Sequence, residues 1–211
     1  MKNTKRIVLL LSLVIVIVMG AGATLAYIHM NTQSVTNTFE PTKVSCAVDE
    51  TLTATEKKDV KVINTGDIDA FIRAEVVVTW KKQEGNSYVV YGQRPEKGTD
   101  YVVSLNLKED GWVEGNDGFY YFTKAVAPES VSADSHFTDI LINSCTVTGT
   151  PPSDGYYLSV EIIASAIQAK GESFGAPTGE EGQKPAEIAW TNEKVLIKVN
   201  DAATTLTVRN K

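Results

Sequence analysis

Apolar residues follow two different rules along this chain. Over residues 7–19 they run almost unbroken, with Ser12 the one polar member. No face is left for water, so the stretch reads as a helix for an apolar medium. From Val35 onward they alternate with polar residues in short bursts, the period of a half-buried strand. Val44, Cys46 and Val48 alternate in this way, as do Val60, Val62 and Asn64. The clearest case is 70–80: Ile72, Ala74, Val76, Val78 and Trp80 share one face, and Phe71, Arg73, Glu75, Val77 and Thr79 the other. Its β-branched run Val76-Val77-Val78 suits a pleated surface better than a helix. The pattern predicts a central strand with the even-numbered face in the core. Arg73 and Glu75 are expected to pair with each other or with neighbours on the solvent side.

Further strands are predicted over 88–91, 101–107, 119–122 and 137–147, with another starting at Gly111. Asn116-Asp117-Gly118 has the chemistry of a hairpin turn, because Asp-Gly accommodates positive φ. Segment 156–169 carries two periods. Leu158, Val160, Ile162, Ala164, Ala166 and Gln168 alternate as in a strand, whereas Ile163, Ala164 and Ile167 fit a helical stripe. The β-branched content and the preceding turn residues favour the strand. A Gly/Pro/Glu-rich loop near 171–185, a helical turn over 186–190 and two closing strands at 195–199 and 204–208 complete the pattern. About ten to twelve short strands separated by turn signals predict an all-β, two-sheet β-sandwich.

Charge places the leading apolar run. Lys2, Lys5 and Arg6 precede it, and Gly20-Ala21-Gly22-Ala23 and Thr24-Leu25-Ala26 follow it. A basic lead, an apolar core and a small-residue exit make a secretory signal peptide, with a signal-peptide helix over 1–26 cut between Ala26 and Tyr27. Counted through Ile28, the run is long enough for the alternative of a permanent anchor. Cleavage leaves 185 of the 211 residues: an N-terminal arm, 27–39, and a β-sandwich domain, 40–211. Loss of the three basic residues takes the net charge from −6 to −9. An acidic surface without a basic cluster repels nucleic acid and anionic lipid, so membrane contact is expected only through an uncleaved leader. Cys46 and Cys145 have two readings. They form a disulfide in an oxidising exterior, or they remain two buried free thiols.

Catalytic chemistry is sparse. The chain has two histidines, His29 and His136, and no His-Glu-x-x-His pairing for zinc. His136 reads as a surface or edge residue at a strand start. Asp67-Ile68-Asp69 has carboxylates at calcium-like spacing without the bidentate Glu of an EF-hand, which leaves an irregular calcium site as the alternative to none. Trp80, Tyr88, Tyr91, Trp112, Tyr120, Tyr121 and Trp190 are either a glycan platform or, as is commoner in a sandwich, core and cross-strand pairs. No cofactor, metal or catalytic residue is assigned, and the expectation is a protein that is not an enzyme.

Thr24-Leu25-Ala26-Tyr27, a polar arm and Thr36-Asn37-Thr38-Phe39 resemble the export segment of the TasA/camelysin family. These are secreted and cell-surface proteins of Gram-positive-type bacteria, processed by a signal peptidase of the SipW type. Similar pieces recur at Asn64-Thr65-Gly66 with Ala70-Phe71-Ile72-Arg73-Ala74, and at Asp117-Gly118-Phe119-Tyr120-Tyr121 and Val126-Ala127-Pro128. The last are Ala164-Ser165-Ala166-Ile167-Gln168-Ala169 and Ala189-Trp190, so the likeness runs to near residue 190. The resemblance implies a jelly-roll-like sandwich and a secreted structural subunit of biofilm matrix or surface fibres. Self-association would proceed by addition of the freed arm to a sheet edge, with Val35 and Phe39 as anchors. The alternative is a cell-surface adhesin for glycan or host protein. The metallopeptidase activity ascribed to camelysin lacks matching ligands here. The last residues carry neither an apolar segment nor a Leu-Pro-x-Thr-Gly sorting signal, so the exported chain is expected to be released or held by non-covalent assembly.

Overall fold

The computed structural model describes residues 43–52, 56–132, 135–171 and 183–211. The leader, the cleavage pair Ala26 and Tyr27, His29, the arm with Val35 and Phe39, and most of the Gly/Pro-rich loop lie outside them.

Strand β3, Ala70–Glu84, is the spine, and it continues past Trp80 where the apolar alternation fades. The other strands are β1 Cys46–Leu52, β2 Glu56–Asn64, β4 Ser87–Val90, β5 Tyr101–Leu105, β6 Trp112–Glu114 and β7 Tyr120–Val126. They are followed by β8 Ile142–Val147, β9 Tyr156–Gln168, one short helix, α1 Pro185–Trp190, and a hairpin of β10 Val195–Val199 and β11 Leu206–Asn210. One sheet has the order β1-β2-β8-β5. In the other, β9 lines one flank of β3 from Ala70 to Lys82, while β7 and β4 share the opposite flank at its two ends and β6 lies outside β7. All named pairings are antiparallel. The chain doubles back at the β6–β7 hairpin, so that β5 meets β8 and β3 meets β9 in a nested, jelly-roll-like winding. Segment 156–169 is thus a strand, and the two-sheet β-sandwich is the architecture found.

Between the sheets, Val60, Val62, Ile72, Ala74, Trp112, Phe122, Leu141 and Ile142 form the main core. A second cluster lies on the opposite side of the β3 sheet, where Phe71 and Tyr121 are covered by Trp190, Ala186, Val195, Ile197 and Leu206. The C-terminal hairpin and α1 therefore form a third layer. Phe71, expected on the polar face, is fully buried, a gain of roughly 2 kcal/mol over exposure. Of the two partnerships expected for Arg73, Glu75 or other neighbours, the second is found: among the ion pairs of the described residues none joins it to Glu75. Its guanidinium sits 4.1 Å from the Phe119 ring centre and 5.2 Å from that of Trp190, a cation–π stack that joins this layer to the sheet.

Two departures from simple alternation have local causes. Asp49 pairs with Lys61 and Thr51 with Lys58, so Glu50 faces both Asp59 and Val60. This is a β-bulge, and Asp59 takes φ 54° there, a left-handed conformation that Asp tolerates better than most residues. The extra residue reverses the alternation and turns Lys57 inward. Its ammonium reaches both oxygens of Glu50, at 2.9 and 2.7 Å. The second departure is at 137–147, predicted as one long strand, of which only Ile142–Val147 joins the ladder. Upstream, Thr138 Oγ1 accepts from the Val62 N–H at 2.9 Å. That side chain occupies the backbone donor a continuous ladder would use, and the segment runs beside β2 through single bonds such as Leu141 N–H to the Val60 carbonyl, 2.7 Å.

Asn64 ties the layers. Fully buried, it donates from Nδ2 to the carbonyls of Ile68 and Val126, each at 2.8 Å, and accepts the Gly66 N–H on Oδ1 at 2.9 Å. Asn64→Ala strands buried carbonyls and is expected to lower stability by about 3 kcal/mol. Equilibrium urea denaturation measures this as a fall in midpoint, and an unchanged midpoint would show that these bonds contribute nothing net.

Candidate functional site

Every sheet ends in strands whose outer N–H and C=O groups have no ladder partner, and proteins usually block such edges with charge, proline, bulges or brevity. Here β4, β5 and β6 are short, at four, five and three residues. Strand β1 faces the bulge of β2 at Glu50 and carries the acidic side chains Asp49 and Glu50. By contrast β9 is thirteen residues long. It pairs with β3 from Gln168 opposite Ala70 to Tyr156 opposite Lys82 without a register break. It has no proline, glycine or lysine, and its one charge, Glu161, is bonded to Lys81. Among the described residues no strand takes its other flank. Val160, Ile162, Ala164 and Ala166 pack against the main core, yet none of the thirteen residues is fully buried. Ile163, on the outer face, is 52% exposed. The result is a long, uninterrupted, mostly apolar edge that, among the described residues, pairs with β3 alone.

Electrostatics around this edge are quiet. The Lys81 ammonium beside Glu161 holds that carboxyl below its ordinary range. Farther along the sheet, the Tyr121 hydroxyl donates to Asp117 at 2.7 Å, and Asn192 Nδ2 donates to the same carboxylate at 3.0 Å. This cluster fastens the C-terminal layer. Burial, followed by the Glu114 carboxylate 3.4 Å away, pushes the Tyr120 hydroxyl up to about 12. Burial also raises the thiols of Cys46 and Cys145, which makes both poor nucleophiles.

No protein-family model, curated protein or solved structure matches this chain. The candidate site therefore stands on its own geometry.

That geometry separates several residues the sequence had grouped. Cys46 stands opposite Asn64 and Cys145 opposite Lys57, seven residues apart along β2. At ~3.3 Å per residue they are roughly 23 Å apart, where a disulfide needs Cα atoms about 5.5 Å apart. Both are free thiols, and of the two readings the disulfide is the one corrected. Asp67 accepts the Lys43 N–H at 3.1 Å, and Asp69 faces Lys170 at 3.6 Å. Each is engaged by a different partner instead of converging on a shared point. The His136 ring packs edge-on to Phe137, and its carbonyl accepts the Asn64 N–H at 2.8 Å. Of the aromatic set, Trp80, Trp112, Tyr121 and Trp190 are buried and Tyr120 is half-buried against the core, whereas Tyr88 and Tyr91 are exposed. Sequence reasoning did not find the open flank of β9. Its only trace there is a thirteen-residue run with one charge.

Burial of the Tyr120 and Tyr121 hydroxyls raises both above the ordinary tyrosine value, and Tyr120 thereby contributes to a loss of stability at alkaline pH. Its folded pKa lies above the ordinary value of 10.0, so the native state keeps a proton that the unfolded chain releases first. The associated stabilisation is whole below pH 10 and is lost as pH rises toward 12. Denaturant midpoints are expected to fall from about pH 9 to about pH 11.5, and less steeply in Tyr120→Phe. Parallel curves for the two proteins would remove Tyr120 as the cause.

Proposed function

We propose that this chain is a secreted structural subunit of extracellular matrix or surface fibres, assembled by strand addition. The observation that carries the reading is the open flank of β9. That edge is thirteen residues long, and the segment released by cleavage after Ala26, residues 27–39, also has thirteen. The arm contains no Asp, Glu, Lys or Arg, which suits an edge whose single charge is already paired. Val35 and Phe39 are four residues apart, so they fall on one face of an extended strand. Beside β9 they would cover the half-exposed inner-face residues Leu158, Val160 and Ile162.

The physics of such a contact is β-augmentation: main-chain bonds supply affinity, and pockets for alternate side chains supply register. Donor and acceptor are different surfaces, so the contact is head-to-tail and propagates into a filament. Attached to its leader, the arm is held at the membrane, and cleavage by a signal peptidase frees it. The family resemblance supports the same reading, with the exterior as the location and a second copy of this chain as the principal partner. Deletion of residues 27–39 is expected to leave a folded chain that forms no fibres. A synthetic peptide of those residues should cap growth of the intact chain. Fibres of unchanged length and number by electron microscopy in both experiments would exclude the arm.

A second reading, an adhesin, is favoured by the end of the β3–β4 ribbon. All four residues of β4 are exposed, and Tyr91 meets Tyr156 edge-to-face at 5.3 Å between ring centres. Trp112 is in the core, so Tyr88→Ala and Tyr91→Ala are the informative substitutions. Under this reading glycan-array binding by the monomer drops at least about tenfold, close to 1.4 kcal/mol, with melting unchanged. Arrays with no bound glycan, or binding untouched by both substitutions, would exclude it.

A further inference from the structure

The β9 edge has a second property that the arm does not use: it is self-complementary. We infer that β9 also pairs with β9 of a second copy, antiparallel about a two-fold axis through Ile163. Two strands that continue one sheet must keep inner residues facing inner and outer facing outer. A two-fold pairing therefore sets each residue opposite one of the same parity, and the dyad falls on a residue. A dyad at Glu161 would place two carboxylates face to face, which destabilises a pair. A dyad at Ile162 leaves them as diagonal neighbours.

With the dyad at Ile163, Glu161 lies opposite Ser165 of the partner subunit and the two carboxylates move well apart. The most exposed apolar side chain of the strand then meets its own copy across the axis. On the inner face Ile162 meets Ala164 of the partner subunit and Val160 meets Ala166 of the partner subunit, large against small. The strand has no register break, proline or glycine to interrupt such a ladder. Each Glu161 keeps its own Lys81, so the join carries no unpaired charge.

An isologous contact closes on itself and does not propagate. Resting on the strand-addition reading, one consequence follows: the dimer occupies the edge that an incoming arm needs and acts as a reserve that cannot extend.

The test uses the exported chain with Ile163→Cys, mildly oxidised. A residue on the dyad faces itself, so a covalent dimer is expected. Ser159→Cys, set opposite Ile167 of the partner subunit, is expected to remain monomeric. At concentrations below those at which fibres form, unmodified chain should sediment as a monomer–dimer mixture, and Ile163→Lys, which puts two ammonium groups on the axis, as monomer with an unchanged melting curve. Absence of the Ile163→Cys dimer, equal linking at Ser159→Cys, or dimerisation surviving Ile163→Lys would overturn the pairing. Fibre growth is read separately. If the linked dimer extends fibres as well as monomer does, the arm and the second copy do not share this edge. If neither extends, while the dimer links as expected, strand addition fails and the pairing stands.

Discussion

The ladder between β3 and β9 is the constraint on which the rest of this protein depends. Thirteen consecutive pairs fix the orientation of both strands, and on β3 that assignment is used on both faces. Ile72, Ala74 and Val76 enter the space between the sheets, while Phe71 and Arg73 meet the C-terminal layer. A slip of one residue would exchange these two sets. It would put the Arg73 cation in the main core and withdraw Ile72 and Ala74 from it. Register is therefore enforced from two sides at once, which explains how so long a ladder runs without a bulge.

The same regularity creates the open flank. A strand straight enough to pair without interruption on one side offers an equally uninterrupted template on the other. The strands β4, β5 and β6 are protected by brevity and β1 by its acidic side chains and the ladder irregularity at Glu50, and β9 has neither defence. In an intracellular protein such an edge would be a hazard. In the exported subunit proposed above, with its thirteen-residue uncharged arm, it would serve as a docking position. The two occupants argued above differ in symmetry, not in the forces used. Both complete the backbone bonds of β9 and both cover its half-exposed inner face, but one contact propagates and the other closes.

Inside the sandwich, polar groups act as fasteners. Asn64 links the turn at Gly66 to the end of β7, Lys57 and Glu50 occupy the bulge, and Asp117 gathers Tyr121 and Asn192 beneath the C-terminal hairpin. The hairpin's last residues are pinned as well, with Asn210 and Lys211 bonded to the β6–β7 turn at Asn116. The bonds of Asn64 to Val126, of Asn192 to Asp117 and of Asn116 to Asn210 join segments far apart in the chain, so those depend on the completed fold.

The sequence by itself determined the strand character of most of the chain, because a period of two and β-branched residues act locally. It determined the hairpin at Asp117-Gly118, the identity of β9 as a strand, and the core face of β3 through Ile72, Ala74 and Trp80. It also contained the signal-like leader and the uncharged arm that motivate the proposed function. Tertiary structure alone decided that Phe71 is buried, because only the folded C-terminal layer covers that face. It decided that Lys57 points inward, because the bulge at Asp59 depends on the register with β1. It set Cys46 and Cys145 apart, since that distance is fixed by two strand pairings. And, among the described residues, it left β9 with no strand on its second flank, because a strand's place at the edge of a sheet depends on which neighbours it lacks, and no local pattern of side chains encodes that.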